Sequence, residues 1–383
     1  MATVAVRDRL GDNAPAWDLV VDASPLPSPF LRSWWLEAAA SGKPVFVLVF
    51  DGNDLIGGVA LEQHRWLGVV RLREVGSGSL CPDHVDVVAR TDCRGEVLAA
   101  LSQWFARPGA RIVDVSGAVA QPSLIEALPG RVSARPMASA PCVELGRDFA
   151  AYLDRRPSLR QGLSRTERRL ARNGAYHRIV TDPSELDRAL ADLRRLHEQQ
   201  WAGWSRFMVG FDRFAAAARR GMAAGEVVVH ELATDSEVVA SMVAFETSGR
   251  CSAYQGGRSR DARWNSAGTL LLAKVAERAS ALDRAELDLL RGEERYKGEW
   301  STGHRDLLQV RAGTGRMGLL ALHSLVAAER LREGLKRLLG GRPETSGRTL
   351  SRRWRRPRAW GDGDGGGDGD AGSSPSPSTS VGR

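Results

Sequence analysis

The stretch that decides the fold prediction is Glu286-Leu287-Asp288-Leu289-Leu290-Arg291-Gly292-Glu293-Glu294-Arg295-Tyr296-Lys297-Gly298-Glu299-Trp300. Its three leucines form a short apolar run typical of a central strand over 286–290, and Gly292 interrupts that run. The residues that follow predict a short helix on which Tyr296 and Trp300 share a face, with Lys297 about 100° away. A phenol and an ammonium are therefore expected just past the carboxyl end of a core strand, where open α/β sheets bind ligands. The alternative is a tyrosine and a tryptophan that only pack, beside a solvated lysine.

The composition of the 383-residue chain, with 43% hydrophobic and 26% charged residues, is that of a globular protein long enough for two domains. The formal net charge of +8 predicts attraction to an anion. The charge alone leaves open whether that anion is a nucleic acid, a phospholipid or a phosphorylated cofactor. There is no signal-peptide core and no apolar run near the roughly 20 residues of a membrane span. We expect a cytoplasmic protein and leave contact with a membrane surface open. Four dispersed cysteines suit a reducing compartment and predict no metal site: Cys81, Cys93, Cys142 and Cys251.

The first part of the chain, residues 1–147, reads as a mixed α/β unit with antiparallel strands first. Asp51-Gly52-Asn53-Asp54 is a strong hairpin signal between two apolar runs. The hydrophobic periodicity predicts helices at 30–40 and 94–106, and strands at 44–50, 55–61, 71–76, 84–89 and 111–116.

Residues 148–340 repeat this order of elements and form the second predicted domain. Predicted helices are 148–156, 158–173, 184–200, 211–223, 268–282 and 318–339, and predicted strands are 226–233, 238–247, 251–256, 286–290 and 306–311. Gly174 is the expected C-cap of the arginine-rich second helix, and Ser184 the expected N-cap of the third. Residues 341–383 contain little to bury, so we predict a disordered tail.

A glycine- and arginine-rich loop over 255–269 leaves a predicted strand and enters a predicted helix. A helix N-terminus presents free backbone N–H groups and the positive end of a dipole, which suits a pyrophosphate. Gly268 would let the backbone approach such a group closely. The alternative is an ordinary loop capped by Ser266.

Five segments of the second part occur in a distinctive order, namely Ser158-Leu159-Arg160, Leu196-His197 with Trp201, Tyr254-Gln255-Gly256-Gly257, Ser266-Ala267-Gly268-Thr269-Leu270-Leu271 and Asp288 to Lys297. Through these segments, residues 150 to 315 resemble the CelD-like (cellulose biosynthesis-associated) acetyltransferases of the GNAT superfamily, which are related in fold to Fem-type aminoacyl transferases. Through Pro29-Phe30 and Trp34-Trp35, the first part of the chain resembles the companion GNAT-like unit of such proteins.

The resemblance implies tandem GNAT-like acyltransferase units, each a mostly antiparallel mixed sheet flanked by helices. It implies acetyl-CoA or another acyl-CoA as co-substrate, without a metal. It also implies that Tyr296 protonates the leaving thiolate and that Lys297 takes part in transfer, as a lysine does in the Fem relatives. The implied cofactor-binding residues are Gln255, Gly256, Arg263, Ser266, Gly268, Thr269 and Leu270.

Transfer to an amine also needs a general base, for which Glu246 and His197 are candidates, although both also fit structural positions. The main hypothesis is an N-acyltransferase whose acceptor is an amine, such as an amino sugar or a cell-envelope or exopolysaccharide precursor. One alternative is a Fem-type transferase that uses aminoacyl-tRNA, because the arginine-rich helix could contact phosphates. Another is a non-catalytic binding protein with the same fold, since fold does not determine function.

Overall fold

Thirteen strands make up one continuous mixed sheet in this protein, whose structure is a computed structural model describing residues 2–146, 148–201, 205–292 and 294–338. The apolar, β-branched-rich runs at 45–50 and 227–229 favour this pleated, buried arrangement. In chain order the strands are β1 (Thr3–Arg7), β2 (Lys43–Asp51), β3 (Asp54–Trp66), β4 (Val69–Glu74), β5 (Val88–Ala89), β6 (Arg111–Ala118), β7 (Val132–Glu144), β8 (Tyr176–Val180), β9 (Val227–Ala233), β10 (Val238–Thr247), β11 (Arg250–Arg258), β12 (Glu286–Asp288) and β13 (Gly303–Thr314).

Helices cover both faces of the sheet. Val243 and Phe245 of β10 pack in one apolar cluster with the helix Pro183–Trp201. Ala244, which lies between them, packs in another cluster with the helix Ala267–Ala281. Successive strand residues point to opposite faces, so these contacts place helices on each side. The helices are α1 (Ala14–Asp22), α2 (Ser33–Leu36), α3 (Arg94–Phe105), α4 (Ser123–Ala127), α5 (Phe149–Asp154), α6 (Pro157–Arg172), α7 (Pro183–Trp201), α8 (Phe211–Ala223), α9 (Ala267–Ala281), α10 (Arg295–Trp300) and α11 (Gly315–Leu338).

The last strands of the two halves are exchanged at the centre of the sheet. The strand order is β1-β2-β3-β4-β6-β13-β7-β12-β11-β10-β9-β8, and β5 pairs with β3. β13 therefore lies between two strands of the first half, pairing Val310 with Val115 on β6 and Ala134 on β7. β7 in turn pairs with β12 through Cys142 and Asp288. The mixed α/β class with a helix-flanked sheet is confirmed, and the domain boundary at residue 147 stays a prediction.

An aromatic cluster joins the two halves on one face of the sheet. The rings of Phe245 and Tyr254 stack with their centroids 4.9 Å apart, and Trp34 and Trp35 of α2 contact Phe245 edgewise. Such rings bury large apolar areas and have specific contact geometry. The cluster therefore fixes β10 and β11 against the first half of the chain.

Most second-half elements are confirmed with small shifts of their ends, but α2 is much shorter than the predicted helix 30–40. It has four residues, and its Trp34, Trp35 and Leu36 are all buried. A regular helix on a sheet buries one stripe, so three consecutive buried side chains instead favour a short, fully enclosed turn. The predicted strand 84–89 is reduced to Val88–Ala89, because His84 has a left-handed φ of 55° that bends the chain.

Two further predictions about element ends are wrong. The N-terminal cap of α7 is Asp182, whose carboxylate accepts the Ser184 N–H at 2.8 Å, instead of Ser184 itself. The central strand ends at Asp288 instead of residue 290, because Leu290 has a φ of 56° that breaks the extended conformation. None of the described helices is long and apolar enough to cross a membrane. The predicted tail 341–383 lies outside the described residues.

Candidate active site

A wedge opens between the parallel strands β11 and β12. They pair over only three positions, from Arg250–Glu286 to Ser252–Asp288. β11 then continues to Arg258, whereas β12 ends. In the described part of the chain, no strand pairs with that edge of β11 beyond Ser252. The wedge therefore exposes backbone groups at the carboxyl ends of two core strands, the usual ligand-binding edge of such sheets.

A β-bulge in β11 lies at the opening of this wedge. Val243 pairs with Gln255 and Ala244 with Ala253, so Tyr254 is the extra residue. Its hydroxyl donates to the Leu80 carbonyl oxygen at 2.6 Å, which holds the bulge in place. Bulges redirect backbone groups and are common beside active sites.

The N-terminus of α9 lies beside the end of β11. Ser266 is the N-cap residue of the helix, as the alternative expected, but it has a left-handed φ of 64° and its hydroxyl makes no capping hydrogen bond. The first N–H groups of a helix have no partner within it. A Cβ added to Gly268 would meet only Cδ of Arg258, at 3.6 Å, so the space beside this backbone is open. Unpaired donors next to open space suit a phosphate.

The loop before α9 is braced by the arginine-rich helix α6. Arg169 donates to the carbonyl oxygens of Arg263 and Asn265. The Arg263 guanidinium itself pairs with Asp261 at 2.7 Å. At the start of α9, the Leu270 side chain is buried in the core, so only its backbone faces the loop. Of the other predicted cofactor-binding residues, Gln255 and Gly256 lie on β11, whose last residue Arg258 contacts the Gly268 position, and Ser266, Gly268 and Thr269 lie at this helix start.

Helix α10 buries Lys297 and leaves Tyr296 at the surface. Tyr296 is 38% exposed and Lys297 6% exposed, while Trp300 is fully buried. Tyr296 and Trp300 lie four residues apart on this helix, as expected, but only Trp300 is buried, and the expectation of a solvated lysine is wrong. The buried face instead carries Lys297 and Trp300, three residues apart. Nζ of Lys297 donates to the Arg291 carbonyl oxygen at 2.7 Å and lies 3.1 Å from Glu294.

Partial desolvation of the Tyr296 hydroxyl, together with the neighbouring Glu294 carboxylate, raises the pKa of Tyr296 above its usual value. The phenol is therefore protonated throughout the physiological range. A protonated phenol can donate to a developing anion, which is the form that a general acid requires.

The structure separates the two candidate bases. Glu246 accepts from Nε of Arg278 at 2.8 Å, near the far end of α9. Arg278 is ten residues from Gly268, about 15 Å along the helix, so Glu246 is remote from the start of α9. His197 lies closer, since its Nδ1 is 3.0 Å from the Gly256 carbonyl oxygen and its Nε2 is 2.7 Å from Oγ of Ser205. Burial lowers the pKa of His197.

Sequence reasoning missed the polar contacts that join residues 286–300 to the first half of the chain. Nε2 of His84 lies 2.7 Å from Oδ2 of Asp288, and both side chains are buried. Arg291 donates through its backbone N–H, at 2.7 Å, and through its guanidinium to Asp83. These partners are more than 200 positions apart, so no local pattern could link them.

Residues 157–298 match the family model described as an acetyltransferase (GNAT) domain. This segment is a GNAT acetyltransferase domain. The chain is therefore an acyltransferase. Its GNAT domain contains the wedge between β11 and β12, the Tyr254 bulge and the start of α9. No curated protein is similar enough in sequence to count as a match.

Solved structures share the fold over most of the chain. A conserved protein of unknown function from Bacteroides thetaiotaomicron VPI-5482 has a TM-score of 0.57 at 9% identity, covering 81% of this chain and 99% of that one. FemX has a TM-score of 0.55 at 9% identity, covering 76% and 95%. The C-terminal domain of a "Putative Lysylphosphatidylglycerol Synthetase" from Agrobacterium fabrum has a TM-score of 0.53 at 11% identity, covering 82% and 96%. At such identities the likeness concerns the fold alone.

Proposed function

We propose that this chain is an N-acyltransferase that takes its acyl group from acyl-CoA in the wedge between β11 and β12. The observation that carries the proposal is that strand pairing stops after Ser252 and Asp288, beside the open start of α9. The pantetheine arm would lie along the free edge of β11. The pyrophosphate would meet the N–H groups around Gly268, with Gln255, Gly256 and Thr269 nearby.

The residues around the wedge supply the remaining chemistry. N–H groups at the Tyr254 bulge would stabilise the oxyanion that forms on the thioester carbonyl. The Tyr296 hydroxyl would protonate the departing thiolate. The contacts of Lys297 support a positioning role, because its ammonium ties the turn before α10 to the helix. The contacts of Glu246 support a stabilising role at the far end of α9.

The identity of the acceptor rests on the sequence resemblance. We propose a small primary amine, such as an amino sugar or an envelope-polysaccharide precursor, and the CelD-like acetyltransferases as the family. The use of acyl-CoA favours a cytoplasmic reaction.

Transfer from aminoacyl-tRNA is a second candidate. It is supported by α6, on which Arg160, Arg165, Arg168 and Arg172 are exposed and could contact phosphates. The use of Arg169 to brace the loop before α9 favours the first candidate, since that residue already supports the proposed pyrophosphate site.

Calorimetric titration of the full chain with acetyl-CoA tests the proposal. We expect saturable binding of one molecule per chain. Binding of tRNA that weakens steeply with salt, without binding of acetyl-CoA, would favour the second candidate. Binding of neither would favour a non-catalytic protein with this fold.

A further inference from the structure

A buried histidine–carboxylate pair lies at the vertex of the wedge. Asp288 is the last residue of β12 and pairs directly with Ser252, where β11 and β12 separate. Nε2 of His84 lies 2.7 Å from Oδ2 of Asp288, and each side chain is only 1% exposed. His84 comes from the first half of the chain, so the pair depends on the joining of the halves.

The surroundings of His84 are unusual for a residue that only packs. Neither ring nitrogen has a well-directed hydrogen bond within the described part of the chain, although Nε2 is at ion-pair distance from Asp288. Buried polar atoms without partners are rare, and each calls for an explanation. The backbone of His84 is also left-handed, a conformation that non-glycine residues seldom adopt and that is concentrated at functional sites.

A cavity of about 340 Å³ adjoins this histidine. Its polar wall is formed by His84 with His304, Arg305 and Asp306 at the start of β13, and its apolar wall includes Leu26 and Val119. The volume is at the lower end of the range for small-molecule sites, and the mixed lining suits a small polar ligand.

Charged groups from each neighbouring element surround the pair. Arg250 of β11 contacts Asp288 and Glu286, and Arg305 of β13 also binds Glu286. Burial alone would raise the pKa of Asp288, but His84, Arg250 and the Leu290 N–H hold it below its usual value. On β7, burial raises the pKa of the Cys142 thiol to about 11, so that group stays neutral. The remaining charged neighbours are Asp83 and Arg291, which pair with each other, and His304 and Asp306 on the cavity wall.

We infer that His84 is the proton acceptor for the incoming amine and that this cavity holds the amine, an inference that rests on the proposed acyl transfer. Nδ1 of His84 takes one proton from the acceptor ammonium, and the ionised Asp288 stabilises the resulting imidazolium. The amine nitrogen then bonds to the thioester carbon and the C–S bond breaks. Tyr296 protonates the sulfur, and the second nitrogen proton returns to its phenolate through solvent. His84 finally releases its proton to solvent.

Kinetics of H84Q with acetyl-CoA and glucosamine as probe amine test the inference. We expect kcat/KM to fall about 10²- to 10⁴-fold, the usual contribution of a general base. The acidic limb of the pH profile should disappear, while acetyl-CoA affinity stays unchanged by calorimetry. H323Q is the control, because His323 is exposed on α11. An unchanged pH profile in a folded, active H84Q would overturn the inference.

Nuclear magnetic resonance of the wild-type protein decides the question even if H84Q does not fold. Glucosamine should shift the imidazole resonances of His84 at millimolar concentration. Absence of that shift, or a shift without any acetyl transfer, would overturn the inference. Binding of acetyl-CoA in the same sample would leave the proposed function standing, whereas its absence would remove both.

Discussion

The two halves contain the same strand–helix–strand arrangement, but one is closed and the other open. β4 and β6 pair in parallel over three positions, Val70–Arg111 to Leu72–Val113, just as β11 and β12 do. In the first half, the buried Glu74 carboxyl accepts the Ser116 N–H at 3.0 Å and bridges the strands where they would separate. In the second half, no described side chain bridges the corresponding gap in this way.

Buried ion networks reinforce the same comparison. Arg71 and Arg311 bind Asp114 across β4, β6 and β13, and Arg250 and Arg305 bind Glu286 across β11, β12 and β13. The first network joins three adjacent strands, and the second joins β11 and β12 to β13 across the intervening β7. Each half therefore has a buried ion network, and the halves differ at the carboxyl ends of their parallel strands. A single glutamate in a strand end thus distinguishes a filled gap from a candidate active site.

The largest expected effect is that of Y296F, which tests whether chemistry belongs to the open half. The phenylalanine ring would still pack, so only the hydroxyl is lost. Because that hydroxyl would protonate the departing thiolate in the transition state, kcat should fall about 10²- to 10⁴-fold with little change in KM. Steady-state kinetics with an accepted amine measure this effect. Y176F, on the exposed Tyr176 of β8, is the control. A kcat within threefold of wild type would end the general-acid assignment.

E74Q tests whether the closed half is held by a neutral carboxyl. Burial raises the pKa of Glu74 from 4.5 to about 7, so the folded protein keeps a proton that the unfolded chain has released. The contribution of Glu74 to stability is therefore fully present below about pH 4.5 and is lost as the pH rises through about 7, by at most roughly 3 kcal/mol.

The glutamine amide oxygen can still accept the Ser116 N–H, so E74Q should remove this pH dependence. Urea unfolding at pH 5 and pH 8 measures the difference, and E96Q, at an exposed site on α3, is the control. The same loss of stability between the two pH values in wild type and E74Q would contradict the assignment.

K297M should lower stability by about 1–3 kcal/mol and leave kinetics nearly unchanged. Methionine fills similar space but leaves the partly buried Arg291 carbonyl oxygen without its donor. Chemical denaturation and kinetics measure the two effects, with K43M at an exposed lysine as the control. A tenfold loss of kcat at unchanged stability would instead restore a direct role for Lys297.

The smallest expected effect is that of G268V on acetyl-CoA binding, which compares the helix starts of the two halves. Gly268 and Gly95 are each the second residue of their helix, α9 and α3, and a Cβ would fit at both. G268V should weaken acetyl-CoA binding about tenfold by blocking close approach to the backbone, whereas G95V should not. Calorimetry on both variants makes the comparison. Equal weakening would mean that the effect is general, or that the first half also binds the co-substrate.

Local patterns were sufficient to predict much of the second half. The bounds of α8 and β10 agree with the sequence prediction, because each has a clear period and a turn signal at its end. The open start of α9 and the short helix α10 were predicted for the same reason. The burial of Lys297 was not, since the sequence does not determine which side of so short a helix faces the core.

The features that sequence reasoning missed depend on contacts between distant segments. The position of β13 between β6 and β7, the closure by Glu74 and the His84–Asp288 pair join residues far apart in the chain. Neither apolar periodicity nor residue spacing carries information about such pairings. The same limit applies to α2, whose three consecutive buried residues follow from enclosure by both halves.

The exchange of last strands has a consequence for synthesis on the ribosome. β13 begins at Gly303, which is 185 residues after β6 ends at Ala118. At translation rates of about 5–20 residues per second, β6 waits roughly 10 to 40 s for β13, and β7, which ends at Glu144, waits somewhat less. During that interval the nascent first half presents two unpaired strand edges, a surface that favours aggregation unless a chaperone covers it.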